Sequence, residues 1–344
     1  MYLFHNDYNE ICHPAILSRI QKMASVQMDG YSEDSCCLSA ANKIRSLCGR
    51  EDVAVHFLVG GTQSNLTVIA AALRPHHAVI AAESAHINVH ETGAIEATGH
   101  KVLGLPSDDG KITAEQILQV VNAHWADASH EHVAQPKMVY ISDSTELGTV
   151  YSLAELEAIS RTCHENGLFL FADGARLGYA LAIENGDVTL QDLARLTDVF
   201  YIGGTKVGAM FGEAVVISNP AIAEDFRYLI KQRGGMLAKG WLLGMQFDVL
   251  LEDDLYFKIA HHANELADQL RDTLRRKGYP IVAEDRTNQV FTILPDRVLT
   301  ALKENFSFSY QRRIDETHSE VRFCTSWAST TDSVALLCEA IENL

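Results

Sequence analysis

LFLFADGARLG, residues 168–178, and DVFYIGGTKVG, residues 198–208, decide how the rest of the chain reads. Each contains a short, wholly apolar run, Leu168–Ala172 and Val199–Ile202, that ends in a glycine-bearing turn carrying a charged residue. Runs of this length between turn signals are strands buried on both faces. Open α/β sheets bind ligands beyond the C-terminal ends of such strands. Asp173 then stands at the end of one strand and Lys206 just past the end of the next.

Working outward, VAVHFLV runs into GGTQSNLTVIAAALR as a strand, a glycine turn and a helix. AVIAA, VLGL and MVYIS continue as strands, and residues 86–98 are expected to be helical. Thr113 with Gln116, and Ser152 with Glu155, have capping-box spacing and mark two helix starts. Strands alternating with helices imply a doubly wound α/β fold with a mostly parallel sheet and right-handed crossovers. EAVVISN reads as an antiparallel addition. At the N-terminus an irregular arm precedes two amphipathic helices, HPAILSRIQKMA and AANKIRSLCG. Beyond Ala221 the pattern changes to FRYLIKQRGG, the apolar GWLLGMQFDVLL and a long helix ending near Gly278. The strands NQVFTILP and EVRFCTSW then flank the helix DRVLTALKEN, and a last helix covers Thr331–Leu344. The expected organisation is an arm with a large α/β domain over residues 1–249 and a small α+β domain over 250–344.

A length of 344 residues exceeds one typical core. Hydrophobic residues at 47% and charged ones at 21% are ordinary for a soluble globular protein. A formal charge of −17 argues against a nucleic-acid or anionic-membrane surface, though not against a local basic pocket. Seven cysteines without a CxxC pair form neither a disulfide framework nor a zinc ribbon, and read as reduced thiols in the cytoplasm. MYLFHNDYNE lacks the basic-then-apolar pattern of a signal peptide, and no run is long enough to span a bilayer.

An acid and a lysine at neighbouring strand ends suit pyridoxal 5'-phosphate (PLP). The amine forms a Schiff base, and the carboxylate keeps the pyridinium nitrogen protonated. The turn Gly60–Asn65 offers free backbone N–H groups at a helix start to a phosphate, with the Thr62 hydroxyl beside them. No Walker loop or GxGxxG occurs. His86 follows a strand end and can reach a ring bound there. His86 and His90 are four apart and could share a metal, but HINVHE is not HExxH and no third ligand suggests itself. Arg176 stands three residues beyond Asp173. Arg322, inside the apolar VRFCTSW, is either a paired or edge group, or a pocket arginine aimed at a carboxylate.

In matching order and nearly end to end, these motifs resemble the threonine aldolases, a PLP-dependent fold type I family related to the β-eliminating lyases. GGTQSNL is similar to the family's SGTMANL, which implies that Gly61 and Thr62 hold the phosphate. ESAHINVHETGA is similar to HIxxxExGG, implying that His86 stacks on the ring. FADGARL resembles LDGARL, assigning Asp173 to the ring nitrogen and Arg176 to the cofactor or substrate edge. GGTKVGA stands where the family has LSKGLGA, making Lys206 the Schiff-base lysine with Thr205 beside the cofactor. RTNQVF resembles TNxVF, and VRFCTSW resembles VRLVTHxD, so that Arg322 grips the substrate carboxylate.

Three motifs differ from the family's. RSD appears as His5-Asn6-Asp7, with Asn6 as the expected carboxylate contact, and ENTHN appears as residues 142–146, with Thr145 in place of a histidine. GGGMRQAG appears as GGMLAKG, preceded by Lys231 and Arg233. The resemblance further implies a dimer-based homotetramer with shared sites, Tyr31 and Arg233 reaching the neighbour's pocket. The implied reaction is retro-aldol cleavage of L-threonine or L-allo-threonine to glycine and an aldehyde, with His86 as first candidate for the base. The alternatives are β-elimination, transamination or racemisation on the same scaffold, or a non-catalytic PLP carrier.

Overall fold

The computed structural model describes residues 1–284 and 286–344. In chain order its strands are β1 (Tyr2–Leu3), β2 (Ala54–Leu58), β3 (His77–Ala82), β4 (Lys101–Leu105), β5 (Gln135–Ser142), β6 (Phe169–Asp173), β7 (Val199–Gly203), β8 (Glu213–Ile217), β9 (Gln289–Pro295), β10 (Phe306–Ser307), β11 (Ser309–Arg313) and β12 (His318–Cys324). Seven of them form one sheet in the order β2-β8-β7-β6-β5-β3-β4. Its neighbours are parallel except where β8 runs against β2 and β7. The antiparallel run EAVVISN thus lies inside the sheet rather than at its edge. β3, β7 and β8 are buried at every residue, as strands covered by helices on both faces must be.

Both capping boxes form: Thr113 caps Ala114–Ala126 and Ser152 caps Leu153–Glu165. The expected helix over 86–98 does not. The chain makes a single turn at His86–Val89 and a 3-10 turn at Glu96–Thr98. Thr92 (φ 52°) and Gly93 (φ 71°) are left-handed, which no continuous right-handed helix accommodates. The break leaves Glu91 free to turn inward.

β9, β11 and β12 form a separate antiparallel sheet in the order β11-β12-β9. Two apolar clusters are present. Tyr256, Ile259, Ala260 and Ala263 of the helix Leu255–Arg276 belong to the first, under the large sheet. Leu266, Ala267, Leu270 and Leu274 of the same helix belong to the second, with Val290, Phe323 and Leu337. The N-terminal arm is sewn into this second part. β1 pairs with β10, Phe4 joins the second cluster, and the Phe4 carbonyl accepts from Cys324 N at 2.7 Å. No helix among the described residues is long and apolar enough to cross a membrane.

The turns after β6 and β7 cross at van der Waals contact. Gly203 N donates to Gly174 O at 2.9 Å, and a Cβ on Gly174 would lie 1.8 Å from the Tyr201 carbonyl oxygen. That approach explains the glycine after Asp173 in physical terms. Because backbone is what obstructs, no rotamer change relieves it. Gly174→Ala should lower stability by about 3 kcal/mol, the upper end of ordinary overpacking, or prevent folding. Urea denaturation with circular dichroism checks this, and a midpoint equal to the parent's would refute the close approach.

Candidate active site

Lys206 lies in the turn between β7 and β8, a loop closed by Gly204 N and Thr205 N donating to Gly212 O at 3.0 and 3.2 Å. Its own carbonyl accepts from Tyr179 Oη at 2.5 Å. The side chain reaches a cavity of about 730 Å³ that is also lined by Gly61, Thr62, His86, Asp173, Arg176, Thr205 and Arg322. Burial and the neighbouring Arg176 charge push the Lys206 ammonium below its ordinary value, while Asp7, Asp173 and Glu213 oppose them. The net direction makes loss of the ammonium proton, and hence nucleophilic attack by the amine, easier than for a solvated lysine.

Asp173, 5% exposed, ends β6. Its Oδ2 accepts from the Tyr140 hydroxyl and from Asn65 Nδ2 at 3.1 Å, and its Oδ1 accepts from Ala175 N at 2.9 Å. Asn65 Nδ2 also donates to Glu91 Oε1 at 2.7 Å, and that oxygen lies 2.8 Å from His86 Nδ1. The hydrogen bond to Glu91 raises the His86 pKa against the opposing effect of burial. The backbone N–H of His86 donates to Glu146 Oε1 at 2.9 Å. Burial pushes the Glu146 carboxyl up.

The helix Gly61–Ala72 has no side-chain cap, so its first N–H groups open into the cavity beside Thr62. The buried hydroxyls of Ser84 and Ser144 line the same cavity without a hydrogen-bond partner among the described residues. Arg322 projects from β12: Nη1 donates to Gln289 Oε1 at 3.0 Å, Nη2 donates to His5 O at 3.2 Å, and buried Nε has no partner. It has no carboxylate in ion-pair contact among the described residues, so its positive charge is open to one.

Other expected residues stand elsewhere or are already engaged. Arg176 lines the cavity, but its guanidinium forks onto Asp7, Nε to Oδ2 at 2.8 Å and Nη2 to Oδ1 at 3.0 Å. Asn6 lies outside the lining, with its Oδ1 accepting from Tyr8 N at 3.1 Å. The Thr205 hydroxyl donates to Glu213 Oε1 and accepts from Gly212 N, both at 3.0 Å. Glu213, 3% exposed, is pushed up by burial and restrained by Lys206. Tyr31 lies in a different cleft, under Lys231 at 5.1 Å. Arg233 is outside the cavity lining, its carbonyl bound by Gln63 Nε2 at 3.3 Å. Among the described residues no group of three or more His, Cys, Asp or Glu could hold a metal.

Sequence reasoning missed Asp7, Asn65, Tyr140, Glu91 and Glu213 as site residues. Asp7 stands in the motif His5-Asn6-Asp7, and GGTQSNL and ESAHINVHETGA contain Asn65 and Glu91, so the signal for those three was present.

A buried lysine and a braced acid at adjacent strand ends, with an open helix N-terminus facing them, define a PLP-dependent enzyme of fold type I. The orphaned serine hydroxyls and uncapped N–H groups fit a phosphate-bearing cofactor. The chain belongs to the beta-eliminating lyase family, whose model matches residues 13–296. It is similar to a solved threonine aldolase from Leishmania major, at 45% identity and TM-score 0.97 over 100% of this chain and 99% of that one. It is also similar to low specificity L-threonine aldolases from a Pseudomonas species (33% identity, 94% of this chain, 91% of that one) and from Pseudomonas aeruginosa (31%, 98% and 95%). The cofactor is PLP and the chain is a lyase.

Burial alone would raise the Asp7 carboxyl, but the Arg176 and Lys206 charges with hydrogen bonds from Arg176 and Asn288 bring it from 3.8 down to about 2. A depressed acid stabilises the fold fully above its unfolded pKa, and that stability is lost as pH falls through the folded one. The window here runs from about pH 4 down to about 2. Asp7→Asn should remove this acid limb and cost about 3–5 kcal/mol at neutral pH by leaving Arg176 unpaired. Urea midpoints measured across pH check both parts.

Proposed function

We propose that the chain cleaves L-threonine, L-allo-threonine and related β-hydroxy-α-amino acids to glycine and an aldehyde. One observation carries the reading: Lys206, Asp173 and an Arg322 without an acidic partner converge on one cavity. Family membership and the similarity to named threonine aldolases support it.

When bound, PLP supplies an electron sink for the pair released at the α-carbon. Lys206 would hold it covalently, and the Gly61–Thr62 turn would take its phosphate. Asp173, oriented by hydrogen bonds from Tyr140, Asn65 and Ala175 N, would face the ring nitrogen and favour its protonated form. His86, fixed through Glu91, would cover the ring. Arg322 offers a planar, charge-assisted fork to the substrate carboxylate. The Asp7–Arg176 pair beside Lys206 would hold the arm against the cavity and exclude water.

The same proposal extends to assembly and place. Tyr31 and Arg233, each outside this chain's own cavity, would serve a neighbouring subunit's site in a dimer-based tetramer. Cysteines that are all free suit a cytoplasmic enzyme. The chain would divide into a large unit over 1–249 and a small one over 250–344; the second apolar cluster supports a separate C-terminal unit, while the first reaches Ala263 of the connecting helix and the second takes in Phe4 of the arm.

Purified protein with PLP and L-threonine should release aldehyde and glycine in equal amounts; pyruvate with ammonia would indicate β-elimination instead. Lys206→Ala should abolish turnover and the visible cofactor band, and borohydride reduction of the parent should label Lys206 in peptide maps. Arg322→Ala should raise the threonine KM by roughly 10- to 100-fold, the equivalent of losing about 1.5–3 kcal/mol of charged hydrogen bonding, with PLP affinity retained. An unchanged KM would make Arg322 structural.

A further inference from the structure

Two imidazoles line the cavity, His86 and His90, with ring centroids 5.7 Å apart, the first opening the single turn His86–Val89 and the second following its end. Their situations are opposite. His86 Nδ1 is bound to Glu91, which is 6% exposed and itself held by Asn65. That partner favours the protonated ring, a poor proton acceptor. His90 is exposed at the cavity wall, and its ring has no hydrogen-bond partner among the described residues. The charged groups facing it are His86 on its own turn and Arg322 on β12. Burial, His86 and Arg322 all push its pKa down, which favours the neutral ring that can accept a proton.

Thr145, where the family resemblance expects a second histidine, is not placed for this task. It is fully buried and absent from the cavity lining. Its hydroxyl lies 2.7 Å from Thr149 Oγ1.

We propose that His90 is the catalytic base that accepts the β-hydroxyl proton of the substrate, a role that rests on the aldolase reading above. In the step, the O–H bond breaks and its proton bonds to a free His90 ring nitrogen. The O–H electron pair becomes the second C–O bond of the aldehyde. The Cα–Cβ bond breaks, its pair leaves with the α-carbon, and later protonation there gives glycine. No oxidant or reductant is consumed. His90 returns its proton to solvent, which its exposure permits. His86, whose Nδ1 is held by Glu91, has a positioning role.

The test compares His90→Gln with the parent holoenzyme. The variant should lose roughly 100-fold or more in kcat for threonine, within the range general acid–base groups supply. It should also lose the acid-side fall of the kcat/KM profile, which in the parent lies below pH ~6.5, the ordinary histidine value. Its melting temperature, visible cofactor spectrum and PLP affinity should match the parent's, and free imidazole should restore part of the turnover of His90→Ala. In the cofactor-free protein, NMR titration of the imidazole C2 protons should give His90 a lower pKa than His86. Threonine turnover within about threefold of the parent, or an acid limb that persists in His90→Gln, overturns the assignment while leaving the aldolase reading intact. A parent protein that binds PLP but releases no aldehyde overturns the aldolase reading and this assignment with it.

Discussion

The buried pair of Asp7 with Arg176 holds the parts of this molecule in register. Asp7 comes from the N-terminal arm, Arg176 from the turn after β6, and Asn288, which donates to Asp7 Oδ2 at 2.9 Å, from the entrance to β9. Three segments far apart in sequence thus meet on one fully buried carboxylate. A buried ion pair contributes little net stability relative to an apolar contact, because desolvation offsets its attraction. Breaking one is costly, however, so the pair acts as a specification: the arm and the small sheet must be seated for Arg176 to be neutralised. Correct docking of the small unit and formation of the cavity wall are then one event.

The cavity's electrostatics follow from where charges are satisfied and where they are not. The chain carries −17 overall, yet Lys206, Arg176, Arg322 and His86 surround one space. Arg176 is matched by Asp7 and His86 by Glu91, whereas Arg322 meets an amide, a carbonyl and the face of the Phe291 ring, with no carboxylate in ion-pair contact among the described residues. The unmatched cation sits where a substrate carboxylate would be useful. Glu213 contributes through the loop: it accepts from Gly204 N and the Thr205 hydroxyl, the two residues immediately before Lys206. A mobile lysine would have to be ordered at each encounter, so a braced loop lowers the entropy cost of reaction.

The sequence alone determined what short-range physics controls. Apolar runs became buried strands, capping boxes started helices, and the glycine turn before Thr62 became an uncapped helix N-terminus. Asp173 and Lys206 were legible because strand ends are local features and α/β sheets bind at them. The tertiary structure decided the rest. Thr92 and Gly93 take left-handed backbone and break a segment whose composition reads as helix, and the break lets the neighbouring Glu91 pack inward onto Asn65. Arg176 and Thr205 line the cavity, and it is the fold that brings Asp7 and Glu213 to engage them there. Tyr140 and Asn65 brace Asp173, and the His86 ring is bound to Glu91 while His90 is left unbonded. Most of these contacts join residues widely separated along the chain, and periodicity and spacing carry no information about such pairings. They form only when the sheet order brings strand ends together, because buried charges and donors must find partners within hydrogen-bond reach wherever the fold supplies them.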